Sequence, residues 1–383
     1  MPRVGTVDYP AEELQKQWYR LGSDFSFSTS ENQTSIAISG MDPQFAETLE
    51  LMLSLINDPQ SDEQTLEQLK ARILQARADQ REDPQAISRA LYLYNRYGEE
   101  SPMLQAMTSD QIQAVALDEL LTLISGLTDY EHTISYTGSM SVEELTDILN
   151  DHHMAGEDLR TPPPYQHRYT RVFDENEIYL IHRETAQAQV RMEFPDERYD
   201  ESLVVPASLY NNYFGSGMSS VVFQELREAR ALAYSAAARY AQGSRQESET
   251  LMLGVIGTQN DKAVDATAAF VDLIDNLPQS GERFQDAQGS LINLYRTSTL
   301  SARQIPGTVR GWQELGLNGD PRPERFLQLQ NASIEDMVEF HQQHVSGAPK
   351  LISIVGDTSR MDLDALAEMG TIKELTVDDV FVE

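Results

Sequence analysis

The chain has 383 residues, 40% hydrophobic and 23% charged, with 61 acidic against 29 basic side chains and a formal charge of −32. That length and balance describe a folded protein with sizeable cores, and the acid excess argues against nucleic acid as the main partner. With no cysteine there is no disulfide, thiolate nucleophile or Cys-bound metal, and no apolar run reaches the length of a membrane span.

In chain order, alternation in FSFSTSENQTSIAIS (25–39) predicts two antiparallel strands around a polar turn. Asp42-Pro43 and Asp83-Pro84 each place a capping side chain before a proline at the first helical position. Helices are predicted over 43–57, 61–81, 84–97, 260–276, 281–300 and 333–346, and strands over AQAQVRMEF (186–194) and ETLMLGVIG (249–257). Ser141 to Glu144 and Ser333 to Asp336 have the spacing of capping boxes. The prolines of RTPPPYQHRY (160–169) mark a linker.

A repeat organises these elements. ISYTG at 134–138 resembles ISIVG at 352–356, an offset of 218 residues, and LINDPQSDEQTLEQLKARI from Leu55 resembles LIDNLPQSGERFQDAQGSLI from Leu273 at the same offset. Two matches at one offset indicate a duplication. The first copy has no counterpart of residues 172–218, which hold the opening strands and first helix of the second. The first unit therefore reads as a domain without its beginning, either because the chain is a fragment or because another polypeptide completes that domain.

Few residues offer chemistry. His341 and His344 lie at i,i+3 on a predicted helix, but a zinc site needs a third ligand, so polar histidines at a helix end are the expectation. His152 and His153 read as a solvent-facing tail. No G-x-S-x-G elbow occurs, and FGSGMSS (214–220) lacks the lysine of a phosphate-binding loop. In SSVVFQELREARALAYSA (219–236), Arg227 and Tyr234 are seven residues apart, so a continuous helix would present them on one face. A guanidinium and a phenol together could grip a peptide carbonyl or carboxylate, while an ordinary Arg–acid pair beside a half-buried tyrosine would explain the same residues.

YFGSGMSSVVFQELREARALAYSA resembles the C-terminal signature of the pitrilysin/insulinase metallopeptidases, the inverted zincins. The likeness extends across the chain, closest to the C-terminal half of long bacterial members. It implies an α+β fold of two homologous domains, each an antiparallel sheet with helices packed on one side. The first (1–158) is N-terminally truncated, the linker is 159–171, and the second (172–383) is complete. In the family, H-x-x-E-H and a later glutamate hold zinc. This chain has no H-x-x-E-H, and QLKARILQARAD (68–79), where the later glutamate would fall, contains none. The resemblance thus implies the zinc-free, substrate-binding half, with zinc in a catalytic half fused upstream or carried by a separate subunit. Arg227 and Tyr234 match the family's pair that reaches the bound peptide, and the implied role is substrate positioning and transition-state stabilisation. Arg230 would be structural, and Gly215 and Gly217 would allow close packing. The rival expectations are a non-proteolytic assembly subunit of the same fold, and a self-sufficient zinc hydrolase using His341 and His344.

Overall fold

A computed structural model describes residues 3–30, 32–153 and 158–383. The first part of the chain forms β1 (Gly5–Thr6), α1 (Ala11–Leu21), β2 (Asp24–Thr29), β3 (Thr34–Ser39), α2 (Phe45–Asn57), β4 (Pro59–Gln60) and α3 (Glu63–Gln80). Then come α4 (Pro84–Tyr97), α5 (Ser109–Ala114), α6 (Leu117–Ser125) and α7 (Val142–His152). The later part forms β5 (Glu177–His182), β6 (Ala188–Arg198), α8 (Val204–Tyr210), β7 (Ser235–Ala241), β8 (Glu249–Thr258), α9 (Ala263–Asp275) and α10 (Gly281–Thr297). It closes with α11 (Ile305–Glu314), α12 (Arg322–Asn331), α13 (Ile334–His344), β9 (Leu351–Gly356), α14 (Leu363–Ala367) and β10 (Thr371–Leu375). Two compact units result, one of residues 1–77 and 108–166, the other of 78–107 and 167–383.

In the first unit β2 and β3 form the predicted antiparallel hairpin, running from Asp24 opposite Ser39 to Thr29 opposite Thr34. Its small core gathers Leu14 and Leu21 of α1 with Leu51 and Leu55 of α2, against Trp18 and Phe25. Ser141 and Glu144 make the reciprocal capping box on α7. Asp42, expected as a cap, is used otherwise: its carboxylate accepts from the Tyr136 hydroxyl at 2.8 Å and from Ser139 N–H at 3.0 Å. The histidines expected as a solvent-facing tail have partners. His152 pairs with Glu50 at 2.9 Å, and the Nε2 atoms of His153 and His132 lie 2.7 Å apart.

The second unit is built on a six-stranded sheet in the order β10-β5-β9-β6-β8-β7. The antiparallel sheet expected from the resemblance is here a mixed one: β10–β5 and β5–β9 are parallel, the other three pairs antiparallel. The cause is topological. The long helical passage between β8 and β9 returns the chain in either direction, and it inserts β9 between β5 and β6, parallel to β5.

Helices are not confined to one side either. Ile178, Leu180, Val190, Met192, Ile352 and Ile354 face the main core with α8, α9 and α13, whereas Tyr179, Ile181 and Val355 on the opposite face are covered by Ile87, Ala90 and Leu91 of α4. Those three α4 positions follow the i,i+3,i+4 rhythm of an apolar stripe. Asn95 then anchors the helix to β9 through Ile352 O and Ser353 Oγ, both at 3.1 Å. Arg96 reaches the buried Glu193 on β6 at 3.2 Å.

Candidate substrate-binding site

The segment carrying Arg227 and Tyr234 is not the continuous helix that would put them on one face. Ser220 opens it, with its hydroxyl donating to Gly217 O at 2.8 Å and its carbonyl accepting from Gln224 N–H at 3.0 Å. Phe223–Ala229 is π-helical, a geometry that occurs mostly as single turns and often at functional sites. Leu226, fully buried, fixes its inner side, and its carbonyl accepts from both Leu232 and Ala233 N–H. Ala231 turns the chain with φ of 49°, a left-handed conformation costing a non-glycine residue about 1–2 kcal/mol. Lys262 Nζ donates to Ala231 O at 3.1 Å and Thr258 Oγ1 to Leu232 O at 2.5 Å, holding that turn. Tyr234 therefore enters β7 from a turn, its N–H donating to Gly257 O at 2.8 Å.

The two side chains still meet. The Arg227 guanidinium carbon lies 4.8 Å from the Phe223 ring centre and 5.9 Å from that of Tyr234. Each ring is within cation–π range. Tyr234 is 71% exposed and the Arg227 side chain 45% exposed. The nearest acid, Glu228, is 3.6 Å from Arg227 Nε, beyond good hydrogen-bond length. A half-exposed guanidinium with rings beside it and no close carboxylate retains donors for a carbonyl or carboxylate from solution. Phe223 is the partner that sequence reasoning passed over, although F-x-x-x-R is a helical i,i+4 spacing and was its visible signal.

The neighbours divide as their geometry dictates. Arg230 stands 3.9 Å from Glu225. A Cβ on Gly215 would sit 1.9 Å from Ala238 O, so this glycine permits the close approach expected of it. Gly217 has open space around it and is used for its φ of 86°. Asn211 completes the β7 edge by accepting from Tyr240 N–H at 2.7 Å and donating to its carbonyl at 2.9 Å.

His341 and His344, expected at a polar helix end, are interior pins. His341 is 4% exposed with Nε2 2.7 Å from Ile274 O, and burial holds its pKa below the usual histidine range. His344 Nδ1 lies 2.8 Å from Asp196, which also accepts from the Tyr240 hydroxyl. Among the described residues no three His, Asp or Glu side chains are placed to hold a metal ion, so the self-sufficient zinc hydrolase has no ligand set there. No helix in the described residues is long and apolar enough to cross a membrane.

Solved structures define the fold class. The crystal structure of a peptidase M16 inactive domain from Pseudomonas fluorescens superposes with a TM-score of 0.72 at 17% identity, covering 92% of this chain and 85% of that one. A conserved protein from Enterococcus faecalis gives 0.74 at 15% identity, covering 92% and 87%. The periplasmic protease PqqL from Escherichia coli gives 0.67 at 14% identity, and this chain spans 39% of its length. In sequence, residues 109–291 match the peptidase M16 inactive domain. That stretch is thus similar to the non-catalytic, C-terminal-half domain of the M16, or pitrilysin/insulinase, peptidases, as its resemblance implied. No curated protein matches the chain.

Proposed function

We propose that this chain is the substrate-binding, zinc-free half of a pitrilysin/insulinase-type metallopeptidase, holding unfolded peptides for hydrolysis by a zinc-bearing half. The observation that carries the reading is the half-exposed Arg227 beside Phe223 and Tyr234, inside the segment that matches the inactive domain. Arg227 would offer its planar fork to a backbone carbonyl, and Tyr234 its hydroxyl, to fix register and to favour charge developing at the scissile carbonyl. Two of the structural neighbours are proteases that are much longer than this chain, PqqL and the ferredoxin protease FusC, the latter solved with Arabidopsis ferredoxin. Their size suits a division of labour between halves.

The reading includes two homologous domains, the first without its opening strands. Supporting it, a shift of 218 residues carries α2 (Phe45–Asn57) onto α9 (Ala263–Asp275). The same shift takes Ile87, Leu91 and Tyr94 of α4 to Ile305, Val309 and Trp312 of α11.

The test is binding of a labelled, unstructured peptide to the chain and to its Arg227→Ala and Tyr234→Phe variants, with melting temperatures alongside. Roughly tenfold weaker binding by Arg227→Ala, about 1.4 kcal/mol, at unchanged melting temperature supports the proposal. Equal affinity in wild type and variants overturns it and favours the assembly-subunit alternative.

A further inference from the structure

Beyond α4, the sheet of the second unit has an open face on β6, β8 and β7. Its residues alternate with Met192, Met252 and Tyr240, which point into the main core. On the open face Arg191 stands opposite Val255, and Val255 opposite Ala237. In the next row Glu193 stands opposite Leu253, and Leu253 opposite Arg239. Val255 is 38% exposed, Ala237 and Arg239 are exposed, and Arg191 and Leu253 are half-buried. An apolar strip thus lies between two arginines.

Those arginines stand apart from the rest of the chain. The sequence has 61 acids to 29 bases, and Arg198, further along β6, pairs with Glu247. Among the described residues neither Arg191 nor Arg239 makes an ion pair or a side-chain hydrogen bond. Arg191 lies 4.5 Å from the centre of the Tyr92 ring, which orients the guanidinium without neutralising it. The acid in these two rows, Glu193, is buried and taken by Arg96 at 3.2 Å. Desolvation raises its pKa to about 7, so near neutral pH it carries only part of a charge.

Sheet spacing fixes how the two arginines can act together. They are two strands and one row apart, about 10 Å across the sheet and about 7 Å along it, or roughly 12 Å between Cα atoms. An extended peptide rises about 3.3 Å per residue, so roughly 13 Å separates its side chains i and i+4. The side chain at i+2 falls between them on the same side.

We infer that this face selects the substrate: it takes an extended peptide with acidic side chains at i and i+4 and an apolar one at i+2. The carboxylates meet Arg191 and Arg239, whose planar forks suit them, and the apolar side chain meets Val255 and Leu253. The inference rests on the peptide-holding role proposed for Arg227 and adds a substrate class to it. The two places are joined by the chain itself, since β7 begins directly after Tyr234 and Arg239 lies five residues on, about 17 Å along the strand. The acid excess elsewhere repels such a peptide and steers it to this face.

The probe is a pair of labelled, unstructured peptides identical except for E-T-V-T-E or Q-T-V-T-Q at the centre, titrated against the full chain. The acidic peptide is expected to bind about tenfold more tightly. Arg191→Gln and Arg239→Gln should each cut that preference to about threefold, and the double variant should abolish it, all at unchanged melting temperature. Arg227→Ala should weaken both peptides by one factor and leave the preference intact. Equal binding of the two peptides by the wild-type chain, or a preference that survives the double substitution, overturns the selectivity and leaves the Arg227 reading standing. Binding of neither peptide overturns both.

Discussion

The guanidinium carbon of Arg227 lies 4.8 Å from the centre of the Phe223 ring, four residues earlier on the same π-helical segment. An exposed arginine has many rotamers, and a ring beside one face removes some of them before any ligand arrives. Phe223→Leu keeps the apolar contact but removes the quadrupole. It is expected to weaken peptide binding by about 1 kcal/mol, roughly fivefold, with Phe223→Tyr restoring it. Titration of the labelled peptide checks this, and equal binding by the leucine and wild-type chains would show that the ring is packing only.

Gly215 and Gly217 separate two uses of glycine two residues apart. Alanine at 215 would place its Cβ 1.9 Å from the backbone oxygen of Ala238, which cannot move without disturbing β7. The expected loss is about 2–4 kcal/mol, in the range of severe overpacking. Alanine at 217 meets nothing but must adopt a φ of 86°, at a cost of about 1–2 kcal/mol. Chemical denaturation of the two variants should rank them in that order.

Much of this architecture is legible in the sequence because local chemistry and tertiary structure agree. Ser141–Glu144 and Ser333–Asp336 form their capping boxes, and β2 and β3 pair as the alternation predicts. Asp83 caps α4 as expected, whereas Asp42 does not cap, because Tyr136 and Ser139, nearly a hundred residues away, compete for its carboxylate. What the sequence hides is what depends on distant partners. Residues 134–138 carry a strand pattern without a strand's neighbours. The stripe of α4 shows that the helix buries one face, but not that the face covers β5 and β9. At the candidate site, types and spacing of Arg227 and Tyr234 were visible. Their route to each other through a π-helical turn and a left-handed alanine was not, since no residue in that stretch signals either feature.

Removal of metal offers a direct contrast between structural and ligating histidines. His341 is buried neutral against Ile274 O. Incubation with a chelator is expected to leave the melting temperature unchanged, while His341→Ala lowers it by creating a cavity and freeing a buried carbonyl. Because its folded pKa lies below the unfolded value, the neutral ring's contribution is present above that unfolded value and is lost as pH falls through the folded one. A chelator-induced drop in melting temperature would contradict this assignment.

Glu193 carries the opposite sign. It is buried on β6, and desolvation raises its pKa to about 7 even though Arg96 stands at 3.2 Å. Between the ordinary carboxylate value and about 7 the unfolded chain has released this proton while the folded chain retains it. The folded state then binds more protons, so stability falls as pH rises through that window. The full effect is at most roughly 3 kcal/mol. Glu193→Gln removes the titration while leaving an acceptor for Arg96, so its stability should vary less between pH 5 and about 8 than that of the wild type. Urea denaturation across that range reads the difference directly. Parallel pH profiles in the two proteins would mean that the Arg96 guanidinium keeps Glu193 ionised throughout, and that the ion pair, not a protonated carboxyl, joins α4 to the sheet.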